Sequence, residues 1–242
     1  MTPLVEVRDL HFTYDDGTVA LRGVDFRLHP GESVALFGAN GSGKTTFVLH
    51  LNGLLEGRGS VEVCGLRVEK PNFAAVRQKV GIVFQDSDDQ LFMPTALEDV
   101  SFGPLNLGLE PAQALERARR ALEQVGMLEA AGKAPYHLSA GEKKRVAIAG
   151  ILAMEPEILV LDEPTTFLDP PGRRALLELL GGLAQAKLIV THDAAFAAAL
   201  ATRAVFFDKG RIAGEGTVAE IVEHFRWEYH ASRHPAGQRS AG

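Results

Sequence analysis

Eight residues, Gly38 to Thr45 (GANGSGKT), constrain the fold of this chain more than any other stretch. They fit the phosphate-loop pattern G-x-x-x-x-G-K-[ST]. The apolar run Ser33–Phe37 before the loop predicts a short buried strand, and Thr46–Leu51 after it predicts the start of a helix. A glycine-rich loop between a strand and a helix N-terminus directs backbone N–H groups at a polyphosphate.

Individual positions of this loop have predicted roles. Glycine permits the tight turns that bring successive N–H groups toward phosphate oxygens. Lys44 is predicted to reach the β and γ phosphates, and the Thr45 hydroxyl is a predicted ligand of Mg²⁺. The alternative is a glycine-rich turn that binds nothing. The predicted nucleotide-binding residues of this stretch are Gly38, Asn40, Gly41, Ser42, Gly43, Lys44, Thr45 and Thr46.

Length and composition narrow the remaining possibilities. A chain of 242 residues suits one large α/β domain, and a net charge of -6 is unfavourable for gripping a nucleic acid backbone. Cys64 is the only cysteine, which excludes an internal disulfide and a cysteine-based zinc site. We expect no signal peptide. We also expect no membrane span, because the longest mostly apolar stretch, Val146–Met154, is far shorter than the roughly 18 residues of a spanning helix.

Apolar runs along the chain predict an α/β organisation. Compact runs typical of buried parallel strands occur at Ser33–Phe37, Val80–Phe84, Ile158–Leu161, Lys187–Thr191 and Ala204–Phe207. Strand-like segments before and after the loop predict a β subdomain on the N-terminal side. Between Phe84 and Ile158 the pattern is helical, as in Pro111–Gly126, where apolar residues are spaced by three and four. We predict a helical insertion at about 86–155 within a parallel-sheet core.

A second group of chemical residues follows the run Ile158–Leu161. Asp162 and Glu163 stand at the predicted tip of a strand, where Asp162 is placed to hold Mg²⁺ directly or through water. Glu163 is then available to orient or deprotonate the water that attacks the γ-phosphate. An acid pair after a strand is usually a solvated turn, so this prediction depends on the phosphate loop.

A third group is Leu138–Glu142 (LSAGE), followed by Lys143, Lys144 and Arg145. Ser139 and Glu142 have the spacing of a helix capping box, which is a sufficient structural explanation. A serine, a glycine and exposed N–H groups at a helix N-terminus also make a second anion site. Two such sites in one chain suggest two copies that enclose nucleotide between them.

These motifs resemble the ATPase subunits of ABC transporters over nearly the whole chain. In that family the signature LSGGQ contacts nucleotide on the opposing subunit. Leu138–Glu142 (LSAGE) is similar to it but has Ala140 in place of a glycine and Glu142 in place of the glutamine. Because Ser139 and Gly141 remain, the departures do not indicate inactivation, although the Ala140 methyl group changes the fit against phosphate. The signature residues predicted to act in trans are Ser139, Ala140, Gly141 and Glu142.

The resemblance implies roles for four further residues. Tyr14 matches the aromatic residue that stacks on adenine, Gln85 the Q-loop residue, Asp169 the D-loop aspartate and His192 the switch histidine. The alternatives are packing of Tyr14 in a hairpin, a turn cap at Gln85, a helix cap at Asp169 and a satisfied buried histidine. The predicted catalytic residues are Glu163, His192 and Lys44, and the predicted Mg²⁺ ligands are Thr45, Gln85 and Asp162.

A narrower resemblance lies in the residues after Gln85 and in Gly141–Met154, which are similar to the ATPases of energy-coupling-factor importers, especially the cobalt and nickel group. The alternative is a generic acidic loop and helix start. We expect Leu91 and Phe92 to be exposed beside that loop and to suit docking of a membrane subunit's coupling helix.

The resemblance implies one ABC ATPase domain over 1–230, with a phosphate-loop (RecA-like) core, an N-terminal antiparallel β subdomain and a helical signature subdomain. We expect a poorly ordered tail at 231–242. The implied cofactors are ATP and Mg²⁺. The implied partners are a second ATPase subunit, preferably an identical copy, and integral membrane coupling and substrate-binding subunits. No nucleic acid partner is expected.

The implied function is ATP hydrolysis that powers import of cobalt or nickel, at the cytoplasmic face of the membrane. The alternatives are a vitamin importer of the same class, a non-transport ABC ATPase that acts on nucleic acid or ribosomes, and a nucleotide sensor that does not hydrolyse ATP. The sensor is disfavoured because Glu163 and His192 are both present. A metal site at His224, His230 and His234 is disfavoured because their spacing matches no regular ligand pattern.

We predict that Lys44→Ala weakens nucleotide binding itself, because the ammonium group that neutralises the β and γ phosphates is lost. Titration of the purified variant with ATP measures this directly. An affinity equal to that of the wild-type protein would contradict the phosphate-loop assignment.

Overall fold

A computed structural model of the chain describes residues 2–227. These residues form ten strands and eight α-helices. The strands are β1 (Val5–Thr13), β2 (Val19–Leu28), β3 (Ser33–Phe37), β4 (Arg58–Val63), β5 (Leu66–Arg67), β6 (Val80–Val83), β7 (Ile158–Asp162), β8 (Ala186–Val190), β9 (Arg203–Asp208) and β10 (Arg211–Gly216). The helices are α1 (Lys44–His50), α2 (Phe73–Lys79), α3 (Ala96–Asn106), α4 (Pro111–Gln124), α5 (Ala140–Leu152), α6 (Pro170–Gly181), α7 (Ala194–Leu200) and α8 (Val218–His224).

A six-stranded sheet in the order β10-β9-β3-β8-β7-β6 forms the centre of the fold. Its strands are parallel except β10, which pairs antiparallel with β9. Every residue of β3, β6, β7 and β8 is buried, because core packs against both faces of the sheet. Because β3, β8, β7 and β6 are adjacent and parallel, their carboxyl ends lie side by side along one edge of the sheet.

A smaller antiparallel sheet in the order β2-β1-β4-β5 packs beside the central sheet, as the sequence predicts. Its strands alternate between buried and exposed residues, so one face is covered. A continuous core lies between the two sheets and includes Phe47 and Leu51 from the segment after the phosphate loop. The loop is thereby anchored to both sheets.

Helices α3, α4 and α5 occupy the segment between β6 and β7 and pack on one another. Helix α4 is amphipathic, and its buried side is formed by Ala114, Ala118, Ala121 and Leu122. A second core joins these helices to the central sheet. The domain boundaries 1–230 and the subdomain limits 86–155 stay predictions, and the predicted tail at 231–242 lies outside the described residues.

Helices α7 and α8 pack through a third, smaller core on the face of the central sheet opposite the smaller sheet. Within residues 2–227, no helix has the length and apolar content needed to cross a bilayer.

Gly81 sets the distance between β6 and the helix that carries the signature residues. A Cβ atom at this position would lie 1.9 Å from Cγ2 of Ile151 in α5. The absence of a side chain therefore lets α5 lie directly on the sheet beside the strand that leads to Gln85.

We predict that Gly81→Ala lowers the free energy of unfolding by about 1–3 kcal/mol, because the added methyl group overpacks this contact. Urea unfolding measures the change. Gly150→Ala is the matched control, because a Cβ atom there meets nothing within 4 Å and alanine favours a helix interior. Equal effects of the two substitutions would contradict the close approach at Gly81.

Candidate functional site

The loop between β3 and α1 owes its shape to two glycines that no other residue replaces without strain. Gly38 has φ 140°, and a Cβ atom there would lie 2.3 Å from the carbonyl oxygen of Phe207. Gly43 has φ 107°, and its Cβ atom would lie 2.7 Å from the carbonyl oxygen of Ala20. By contrast, Gly41 has open space around its missing side chain, so the backbone there is accessible to a ligand.

Lys44 folds back across this loop. Its Nζ donates to the carbonyl oxygen of Gly38 at 2.6 Å and to that of Ala39 at 3.1 Å. The side chain is 6% exposed. Burial lowers the pKa of Lys44, and the carboxylates of Glu163 and Asp162 partly oppose that change.

Thr45 and Asp162 meet across the cleft, although 117 positions separate them in the chain. The Thr45 hydroxyl donates to Oδ2 of Asp162 at 3.3 Å. Asp162 is the last residue of β7 and is buried. Burial raises its pKa, which the Thr45 hydrogen bond and the Lys44 charge oppose. A hydroxyl and a carboxylate at this distance are suitable oxygen ligands for Mg²⁺.

Glu163 and His192 line the same cleft as Lys44. Oε1 of Glu163 lies 3.0 Å from Nε2 of His192, and Oε2 accepts from the His192 backbone N–H at 3.3 Å. Nε2 of His192 is also 3.1 Å from Oδ1 of Asn40, a residue of the phosphate loop. Burial raises the pKa of Glu163 to about 7, with partial opposition from the His192 hydrogen bond and from Lys44.

A cleft of about 550 Å³ contains most of the predicted nucleotide-binding residues. Tyr14 stands at its edge, 39% exposed, with its hydroxyl 2.8 Å from Oγ1 of Thr46. The predicted residues that line the cleft are Tyr14, Asn40, Gly41, Gly43, Lys44, Thr45, Thr46, Gln85, Asp162, Glu163 and His192. Gly38 and Ser42 belong to the loop but do not line the cleft, and Ser42 is buried.

The signature residues lie in a separate cleft of about 490 Å³, together with Asp169. Ser139 caps α5: Oγ of Ser139 accepts from the backbone N–H of Glu142 at 3.3 Å. In return, Oε2 of Glu142 accepts from the Ser139 hydroxyl and backbone N–H, both at 2.8 Å. Asp169 caps α6 through Gly172, so the alternatives of helix capping hold at both positions. One chain does not bring the signature to its own phosphate loop.

The structure adds a residue that sequence reasoning missed. Lys144 is 3% exposed, and its Nζ donates to the carbonyl oxygens of Phe84 and Gln85 at 3.0 and 2.8 Å. Burial lowers its pKa to about 8. It joins the signature helix to the residue that enters the nucleotide cleft. The only sequence signal was the basic run after Glu142, which is typical of a solvated helix face.

Within residues 2–227, no group of three or more His, Cys, Asp or Glu side chains is arranged to hold a metal ion by itself. This includes His224, whereas His230 and His234 lie outside the described residues.

A phosphate loop after β3, acids after β7 and a histidine after β8 define the class of phosphate-loop α/β proteins that bind nucleoside triphosphates. The profile of the family described as "ABC transporter" matches residues 21–166. The chain belongs to this family and is an ATPase. The predicted α/β fold class, the resemblance to ABC ATPase subunits and the predicted ATPase activity are thereby confirmed.

Individual relatives and structures agree with this assignment. The energy-coupling factor transporter ATP-binding protein EcfA of Methanosphaera stadtmanae is 49% identical over 227 residues, which cover 91% of this chain and 82% of the relative. The structure of cbiO1 from Clostridium perfringens, described as part of the ABC transporter complex cbiONQ, matches with a TM-score of 0.83 and 34% identity over 97% of both chains. A dimeric post-hydrolysis structure of the cassette MJ0796, bound to ADP and Pi, matches with a TM-score of 0.79 and 28% identity, over 88% of this chain and 98% of that one.

We predict that Glu163 makes the nucleotide-free protein less stable as the pH rises. Its pKa is about 7 in the folded protein against an ordinary 4.5, so the folded state binds more protons than the unfolded state between these values. Stability from this group is present below about pH 4.5 and is lost as the pH rises to about 7. Glu163→Gln removes the effect, so the variant should gain stability relative to wild type across this window in urea unfolding.

Glu220→Gln is the matched control for this titration. The Thr217 hydrogen bonds hold the pKa of Glu220 below its ordinary value, so this carboxyl is ionised in both states above about pH 5.5. The stability difference of the control from wild type should stay nearly constant from there to about pH 7. A constant difference for Glu163→Gln as well would contradict the raised pKa.

Proposed function

We propose that this chain is the ATP-hydrolysing subunit of an energy-coupling-factor ABC transporter that imports a transition-metal ion, cobalt or nickel. The hydrolytic part of this proposal depends on one observation. Oε1 of Glu163 lies 3.0 Å from Nε2 of His192, and both residues line the cleft that Lys44 also lines. The transport part is supported by the likeness to the EcfA relative and to cbiO1 of the cbiONQ complex.

ATP would bind with its phosphates over the loop. The Lys44 ammonium exchanges the carbonyl oxygens of Gly38 and Ala39 for phosphate oxygens, while N–H groups at the start of α1 face the same oxygens. Tyr14 at the edge of the cleft offers an aromatic ring for the base. These contacts position the nucleotide and neutralise its charge, which is most of what phosphoryl transfer requires.

Thr45 and Asp162 would hold Mg²⁺, with Gln85 as a third oxygen ligand. All three line the same cleft, and the Thr45–Asp162 hydrogen bond shows that two of them already converge. When bound, Mg²⁺ withdraws charge from the β and γ phosphates. The raised pKa of Asp162 fits a carboxylate whose buried charge lacks a full counterion until a cation binds.

Glu163 would orient the attacking water and accept its proton. A carboxyl with a pKa of about 7 is close to the value at which a general base works best near neutral pH. Nε2 of His192 lies within hydrogen-bond distance of both Glu163 and Asn40 of the phosphate loop. It is therefore placed to respond to the γ-phosphate and to transmit its presence to Glu163.

Two copies of the chain would complete each site. The signature Ser139–Glu142 and Asp169 share a cleft that does not contain the phosphate loop, so they are available to a nucleotide held by another subunit. All proposed catalytic residues occur in this one sequence, which makes a homodimer competent at both sites. The dimeric MJ0796 structure supports this arrangement by likeness.

Membrane subunits would dock beside the loop after Gln85. Phe92 is 64% exposed and makes an edge-to-face contact with Phe102 of α3, with 5.0 Å between ring centroids. Asp99 accepts the backbone N–H groups of Phe92 and Met93 and so holds this segment in place. The expectation of an exposed Leu91–Phe92 pair is only half right, because Leu91 packs against the core.

We propose an apolar helix of a coupling subunit as the occupant of this aromatic pair, which places the ATPase peripherally at the cytoplasmic face of the membrane. The net charge of -6 supports a membrane transporter over the alternative of an ABC ATPase that acts on nucleic acid. A vitamin as cargo is the alternative within the same transporter class.

We predict that Glu163→Gln keeps ATP binding but lowers turnover by ~10²-fold or more, because the amide cannot accept a proton from water. Nucleotide titration and phosphate release measure the two properties separately. Near-normal hydrolysis by the variant would overturn the role of Glu163.

The same variant tests the cargo. Cells that lack the chromosomal gene would carry either the wild-type chain or Glu163→Gln at equal expression, and their cobalt and nickel contents would be measured. A higher content of one metal only with the wild-type chain is the expected result. Equal metal contents, with vitamin-limited growth restored only by the wild-type chain, would replace the metal by a vitamin. Equal results in both assays would overturn the transport proposal.

A further inference from the structure

Trp227 reaches the centre of the molecule from a distant part of the sequence. After α8, Arg226 adopts φ 49°, which turns the chain back toward the central sheet. The Trp227 side chain is 5% exposed and packs against Phe37 and Phe206, with ring centroids 6.1 and 5.4 Å away. Phe37 is the last residue of β3, so the indole packs against the strand end at which the phosphate loop begins.

The indole also lies against His192. The two rings are nearly parallel, with an interplanar angle of 15° and 5.5 Å between centroids. Nε2 of the same imidazole lies 3.0 Å from Oε1 of Glu163 and 3.1 Å from Oδ1 of Asn40. The imidazole ring of His192 therefore has the indole along its face and two polar contacts at its Nε2 atom.

This geometry restricts the rotation of the His192 ring. An imidazole rotates about its Cβ–Cγ bond, and the two polar contacts at Nε2 allow several ring planes. A flat, buried indole beside the ring favours the parallel orientation through offset stacking. Core packing fixes the indole in turn, because Phe37 and Phe206 contact it from the sheet. An aliphatic side chain at this position would contact the imidazole without selecting a ring plane.

We propose that Trp227 is a positioning residue for the hydrolytic site: its indole sets the plane of the His192 ring and so the direction in which Nε2 meets Glu163. The inference rests on the proposed role of His192 in hydrolysis. It extends the site to Trp227, a residue after α8 that does not line the nucleotide cleft.

The first experiment compares substitutions that differ in shape. Trp227→Leu should lower kcat about tenfold with a KM for ATP within about twofold of wild type, because geometry is lost while the binding groups remain. Trp227→Phe keeps a flat ring and should retain most of kcat. Phe225→Leu is the matched control, because Phe225 stacks on Phe206 at 3.8 Å in the same core. Its kcat should stay near the wild-type value.

A double-mutant cycle separates this effect from general loss of packing. If Trp227 acts through His192, then Trp227→Leu should cause no further loss of kcat in a His192→Ala background. A full additional tenfold loss there would overturn the proposal. Should Trp227→Leu fail to fold, Trp227→Met takes its place in the same cycle, because an unbranched side chain adapts to the same space.

Fluorescence gives a readout that does not depend on turnover. Trp227 is the only tryptophan of the chain, so emission reports this site alone. In a Glu163→Gln background, which holds ATP, adding ATP with Mg²⁺ should change the emission, and His192→Ala should abolish that change. Emission that responds equally with and without His192 would overturn the inference.

The outcomes also distinguish a wrong assignment of His192 from a wrong assignment of Trp227. A normal kcat in His192→Ala alone would contradict the proposed role of His192. A low kcat in His192→Ala together with a normal kcat in Trp227→Leu would leave that role intact and contradict the inference about Trp227.

Discussion

The parallel pairing of β3, β8, β7 and β6 is the constraint on which the site depends. Residues far apart in the chain become neighbours because each follows one of these strands at the same edge of the sheet. The phosphate loop follows β3, His192 follows β8, Asp162 ends β7 and Gln85 follows β6. Since these strands are buried on both faces, a shift in register would expose apolar side chains and is strongly disfavoured. The hydrophobic core thus determines the catalytic geometry.

Much of this was predictable because the relevant signals are local. A compact apolar run that ends in polar residues indicates a strand tip, and glycine spacing indicates the loop, so the sequence predicts one site for Lys44, Asp162 and Glu163. The stacking of Trp227 on His192 was not predictable, since it depends on a turn after α8 and on contacts across 35 positions of sequence. The link that Lys144 makes between the signature helix and Gln85 likewise was not predictable, because it depends on burial in the folded protein. A basic run in the sequence is instead typical of exposed side chains.

Electrostatics at the site favour ligand binding over stability. Lys44, Asp162 and Glu163 are all largely removed from water, and burial is the main cause of the pKa change in each. One ammonium and two carboxyl groups do not balance in an environment of low dielectric constant. A bound nucleotide would supply phosphate oxygens to the ammonium group, and its cation would supply positive charge to the carboxyl groups. Binding would therefore offset the cost of holding these charges in fixed positions, which is typical of preorganised sites.

The cap of α5 also has a mechanical consequence. In the closed pair that we propose, phosphate oxygens would approach the Ser139 hydroxyl and N–H, yet both groups already donate to Oε2 of Glu142. Each closure would have to displace a carboxylate from its own helix end, and that carboxylate would then repel the incoming anion. The cap would re-form whenever the two subunits separate. The signature helix would thus work as a spring that returns the pair to its open form.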